Sequence, residues 1–150
     1  MSKRGATSAI RLETPIFTEV KSAEDVGAEL RRQYQEWWQS LQTPAQRMGL
    51  IRNICDRIAN EFNPEQIILF GSHAYGTPTL DSDLDLLVIM PFSGSSLSQA
   101  VKISRQLNLM IPLDLIVRTR EQLNERLAMD DSFVRDIVER GKVMYEAPHR

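Results

Sequence analysis

Two short apolar runs, Ile67-Ile68-Leu69-Phe70 and Leu86-Leu87-Val88-Ile89, are joined by a segment that opens with Gly71-Ser72 and closes with Asp83-Leu84-Asp85. Continuous apolar runs of this length belong to strands covered on both faces. Such strands require a sheet layered between helices, and they leave Asp83 and Asp85 at the rim of a core. A third run, Leu113-Asp114-Leu115-Ile116-Val117, places another carboxylate among residues that otherwise demand burial.

Side chains on a strand alternate faces, so Asp83 and Asp85 point the same way, about 6.5–7 Å apart along the chain direction. Leu87 and Ile89 continue that face, and Leu84, Leu86 and Val88 form the other. Asp114, on a neighbouring strand, completes a group of three acids. Crowded at the edge of a core, the acids repel one another and lose hydration, a conflict that a divalent cation relieves. An oxygen-only donor set suits magnesium or manganese, and magnesium is commonly shared between carboxylates and substrate phosphates.

Gly71-Ser72 leaves the first strand and is expected to turn into a short helix, presenting backbone N–H groups and a hydroxyl to an anion. Gly76 lets the chain turn back. In this segment Asp81 reads as a turn residue. His73 and Tyr75 read as solvated loop side chains, and Lys102 and Arg105 as a solvated helix face that could also reach phosphate.

Gly71-Ser72, then residues 73–82, then Asp83-x-Asp85 resembles the signature of the polymerase-beta-like nucleotidyltransferases, with the spacing of their minimal, stand-alone members. The resemblance covers about residues 65–146. It implies an α/β (α+β) nucleotidyltransferase fold, a mixed central sheet flanked by helices. It also implies two magnesium ions (manganese as substitute) held by Asp83, Asp85 and Asp114, with Asp114 as base and Gly71 and Ser72 holding the phosphates of ATP or another nucleoside triphosphate. Minimal domains of this type are similar to the antitoxins of HEPN/MNT toxin–antitoxin modules, which implies AMP transfer to a tyrosine of a HEPN-type toxin. A second copy of the chain is the other partner considered. Transfer to a small molecule such as an aminoglycoside, and a non-catalytic partner-binding antitoxin, are the alternative readings.

The net charge of −2 offers no basic excess to attract a nucleic-acid backbone. No run reaches the roughly 18 apolar residues of a membrane span, and a single cysteine, Cys55, excludes an internal disulfide, so a cytoplasmic setting is expected. At 150 residues the chain suits one domain over residues 21–150, after a flexible tail at residues 1–20. Its helical N-terminal part spans 21–64 and its catalytic core 65–146.

Two amphipathic helices are expected in the N-terminal part. The first starts at a Ser22/Asp25 cap and carries Val26, Leu30, Tyr34, Trp37, Trp38 and Leu41; both adjacent tryptophans read as partly buried against the domain's own helices, with one exposed or packed on a partner as the alternative. The second is capped by Thr43 with Gln46, has Pro44 at its first position, carries Cys55 as an inert core thiol and stops at Asn63-Pro64. Further on, strands are expected at 66–70, 84–90 and 113–117, with helices at 97–110, from a Thr119/Gln122 cap, and at 131–140. The last of these should turn Phe133, Val134, Ile137 and Val138 inward and end on a left-handed Gly141 before a strand near 142–145.

Overall fold

A computed structural model of the chain describes residues 43–76, 78, 83–109 and 113–148, together with helical positions 28, 29, 32, 33, 36, 37 and 40. The expected tail, Trp38 and Asp81 lie outside these residues. Trp37 is half-buried. The chain divides into two compact units, residues 1–54 and 55–150.

Helix α1, Pro44–Phe62, begins in the first unit and ends in the second. Its start is a reciprocal capping box. The Gln46 N–H donates to Thr43 Oγ1 and the Thr43 N–H to Gln46 Oε1, both at 3.1 Å, which satisfies two of the otherwise orphaned donors. Leu50, Ile51 and Ile54 are buried in the first part of the helix, and Cys55, Ile58 and Ala59 in the second. Burial pushes the Cys55 thiol up to about 12, the value of an inert core residue. The helix ends where Asn63 enters the left-handed region at φ 48° ahead of Pro64.

The second unit is a four-stranded mixed sheet in the order β3-β2-β1-β4. Strand β1 is Gln66–Phe70, β2 Leu84–Ile89, β3 Leu113–Arg118 and β4 Lys142–Glu146. Strand β1 runs antiparallel to both β2 and β4, whereas β2 and β3 are parallel and joined through helix α3, Ser96–Leu107. Between β1 and β2 lies the four-residue helix α2, Ser72–Tyr75. Helices α4, Arg120–Ala128, and α5, Ser132–Arg140, follow β3. Helix α3 stops three residues before the expected end, because Asn108 takes a left-handed cap at φ 51°.

One face of the sheet carries Ile68, Phe70, Leu87 and Ile89, which pack with Leu123 of α4 and Ile137 of α5. Each side chain of this kind contributes roughly 1.5–3 kcal/mol on full burial. The expected cap at Thr119 is present in both directions, with Gln122 closing the box. In α5, Asp131 caps by accepting the Phe133 and Val134 N–H groups. Val134 and Ile137 turn inward as expected. Phe133 and Val138 do not, at 55% and 41% exposure, because a one-sided helix of nine residues buries only the narrow stripe that meets the sheet.

Gly141 also departs from expectation. Its backbone is extended, φ −68° and ψ 162°, rather than left-handed. What requires glycine there is space. A Cβ would collide with the Ile137 carbonyl and would sit 2.5 Å from Ile68 Cγ2 and 3.1 Å from the Leu69 carbonyl. The α5-to-β4 connection therefore passes tightly against β1. Gly141→Ala is expected to destabilise the protein by about 1–3 kcal/mol, the range for forced overpacking. Urea unfolding would measure it, and an unchanged midpoint would contradict the crowding.

Candidate active site

The register of the sheet brings the acids together. In the antiparallel β1–β2 ladder Phe70 lies opposite Asp85, and in the parallel β2–β3 ladder Asp85 lies opposite Asp114. Cross-strand partners share a face, so Phe70, Asp85 and Asp114 form one row at the end of the sheet, with strands about 4.8 Å apart. The next row on that face is Ile68, Leu87 and Ile116. Asp83 precedes β2 by one residue and is exposed, as is Asp114, whereas Asp85 is half-buried.

Asp85 carries the electrostatic cost of this arrangement. Its pKa is pushed up to about 6, first by burial, then by the negative charge of Asp114 and then by that of Asp83. Both of the other sequence-predicted acids therefore act on this one carboxyl group. Among the described residues no three carboxylate, histidine or cysteine side chains already close around one point as ion ligands. Asp83 and Asp114 are the exposed members. The donor set is oxygen throughout, and among the described residues no basic group is ion-paired with it, which fits a hard divalent cation.

Gly71 is tied to Asp85 by direct crowding. It sits at φ 77°, where L side chains are strained, and a Cβ would collide with Asp85 Oδ2. The glycine thus allows the Asp85 carboxylate to lie against the turn. From Gly71 the chain enters α2: the Gly71 carbonyl accepts the Ala74 and Tyr75 N–H groups at 3.0 and 3.1 Å, and Gly76 ends the turn at φ 79° by donating to the Ser72 carbonyl. The Gly71-Ser72 turn therefore opens directly beside the acid row.

Two residues of this turn differ from the solvated loop expected of them. His73 is buried at 7% exposure, carried inward by the helical turn that starts at Ser72. Tyr75 is half-buried and donates its hydroxyl to Asp136 Oδ2 of α5 at 3.0 Å. Burial first, and then that bond, raise its pKa, against the opposing effects of Arg140 and the Gly71 backbone. The Arg140 guanidinium lies 4.1 Å from the centre of the Tyr75 ring and donates to Asp136 Oδ1 at 3.2 Å. Asp136 and Arg140 were not among the sequence candidates. Their four-residue spacing is the signal of a local helix pair, and nothing in it says that the pair meets the Gly71-Ser72 turn. Lys102 and Arg105 are exposed on α3.

A mixed sheet whose glycine turn abuts a row of register-paired acids is the arrangement of a phosphate-transfer site. Over residues 50–144 the chain matches the family described as Nucleotidyltransferase domain. The chain belongs to that family and is a nucleotidyltransferase. It is 31% identical over 83 residues to a Methanocaldococcus jannaschii protein provisionally named a protein adenylyltransferase, a match covering 54% of this chain and 78% of that protein. A solved structure from Sulfolobus solfataricus, provisionally named a nucleotidyltransferase, aligns with 87% of this chain and 93% of its own, at TM-score 0.46 and 16% identity. A toxin–antitoxin structure with AMP-PNP aligns with 64% of this chain and 73% of its own, at TM-score 0.44 and 22% identity.

The raised pKa of Asp85 has a stability consequence. The folded state holds the proton more tightly than the unfolded chain, so the contribution is fully present below pH 4 and is lost as pH rises through about 6. Asp85→Asn is expected to raise Tm of the metal-free protein at pH 7.5, by a stabilisation of roughly 1 kcal/mol once solvent screening is allowed for. The gain should close below pH 4. A Tm difference that is the same at both pH values would contradict a cost of ionisation.

Proposed function

We propose that the chain is a magnesium-dependent nucleotidyltransferase that transfers AMP from ATP to a hydroxyl of a partner protein. The observation that carries this reading is the register pairing of Asp85 with Asp114 beside the Gly71 turn. The relative named as a protein adenylyltransferase favours ATP as donor and a protein as acceptor. The resemblance to HEPN/MNT modules supplies the finer choice, a tyrosine of a HEPN-type toxin, with this chain as antitoxin.

In this mechanism Gly71 and Ser72 hold the phosphates of ATP. Asp83, Asp85 and Asp114 would hold two magnesium ions, with manganese able to substitute. Bound ions of this kind neutralise the charge that develops on the attacking and leaving oxygens of an in-line displacement. Asp114 orients the acceptor hydroxyl and takes its proton. The hydroxyl oxygen forms a bond to the α-phosphorus, the bond from that phosphorus to the bridging oxygen breaks, and pyrophosphate leaves on the side of the turn. The Tyr75–Asp136–Arg140 contacts hold the turn in register with α5 during these steps.

Incubating the protein with α-labelled ATP, magnesium and the product of its neighbouring gene should place label on that partner. Asp114→Asn should reduce labelling by about 10²–10⁴, the usual contribution of a general base. Neutralisation of the partner without label, unchanged in the Asp83→Asn and Asp85→Asn variants, would replace the catalytic reading with a binding one.

A further inference from the structure

Beyond the acid row, the same face of the sheet continues into a cavity of about 170 Å³ between the sheet and helices α4 and α5. Its floor includes Leu87 and Ile116, register partners that each follow an acid of the row by one β-repeat, about 6.5–7 Å away. Val134 and Phe133 of α5 line the opposite side, and the polar lining is Arg118, which also donates to the Val117 carbonyl at 2.8 Å, and Arg126, which pairs at 3.6 Å with Asp131, itself a lining residue. The exposed Phe133 ring meets Phe70 edge-on, with centroids 5.9 Å apart and planes at 85°. Phe70 lies opposite Asp85 and directly precedes Gly71, so Phe133 connects the cavity to the acid row.

The volume and lining suit a flat ring. An apolar cavity of about 150 Å³ accepts benzene, and this one is slightly larger and has donors among its lining residues. Its position suits one part of the substrate. In an in-line displacement the leaving pyrophosphate lies at the turn that ends β1 and the acceptor at Asp114 on β3, so the reaction axis runs across the strands. The nucleoside is bonded to the α-phosphorus through an oxygen at right angles to that axis. It therefore extends along the strands, and in one direction this leads over Leu87 and Ile116. An acceptor ring fits less well, since a side chain entering a cavity leads with its tip and would carry its hydroxyl away from Asp114.

We propose that this cavity is the nucleobase pocket of the enzyme, with Phe133 as its aromatic contact and Arg118 and Arg126 as donors to ring nitrogen or carbonyl acceptors at the base edge. The assignment rests on the nucleotidyltransferase reading and adds the residues that grip the nucleoside half of the substrate.

Calorimetry of the full chain with magnesium separates the two halves of the nucleotide, using a non-hydrolysable ATP analogue and, separately, inorganic tripolyphosphate. Phe133→Ala, at an exposed position, should weaken the analogue about 5- to 150-fold, the effect of losing one base–aromatic contact. Tripolyphosphate should bind as before. Ile116→Phe, which fills the cavity from its floor, should do the same, and covers the case in which one variant fails to fold. Equal losses for both ligands, an unchanged analogue affinity, or a raised KM for the acceptor alone would each overturn the pocket. If the unmodified protein binds neither ligand, the nucleotidyltransferase reading itself fails and the pocket falls with it. Binding of tripolyphosphate but not of the analogue would overturn the pocket alone.

Discussion

The half-buried carboxylate of Asp85 lies against a glycine on one side and opposite a second aspartate on the other. Three features converge on that one group. The positive φ of Gly71 removes the side chain that would displace it, the antiparallel β1–β2 register sets it opposite Phe70, and the parallel β2–β3 register delivers Asp114. A slip of one residue in the β2–β3 ladder would send Asp85 and Asp114 to opposite faces of the sheet, and one in the β1–β2 ladder would take Phe70 and Gly71 out of line with Asp85. The buried residues of β2, from Leu86 to Ile89, resist such a slip because every one of them would change face. The core thus fixes the position of a charge that the core alone would disfavour.

The helices of the acid-bearing face divide the remaining tasks. Helices α4 and α5 close the lower rows with Leu123 and Ile137, and the outer side of α5 reaches the Gly71-Ser72 turn through Asp136 and Arg140. Its first turn places Phe133 beside the cavity over Leu87 and Ile116. One nine-residue helix therefore supports the Gly71-Ser72 turn near its end and lines a ring-sized cavity near its start. The tight passage of Gly141 against β1 keeps that helix close to the sheet.

Much of this was legible in the sequence. The three acids, the Gly71-Ser72 turn, the strands and the Thr43 and Thr119 caps all follow from local signals of spacing, periodicity and capping chemistry. What local signals do not carry is which element faces which. His73 and Tyr75 look like loop residues until α5 is placed over their turn. Gly141 looks like a helix cap until β1 is found against it. Phe133 and Val138 look apolar enough for the core, yet α5 has only one buried stripe. The parallel pairing that sets Asp114 against Asp85 is likewise a property of the assembled sheet, although the acid within an apolar run announced that some such pairing was needed.

The central claim is that the sheet holds Asp85 in an unfavourable ionised state that cation and nucleotide relieve. Carbon-detected NMR titration of the Asp85 side chain tests it most directly. In the metal-free protein the carboxyl should titrate near 6. With saturating magnesium and a non-hydrolysable ATP analogue it should titrate below the ordinary carboxylate range, since a bound dication favours the ionised form. An ordinary value in the metal-free protein, or one near 6 that does not move when magnesium and nucleotide are added, would contradict the account.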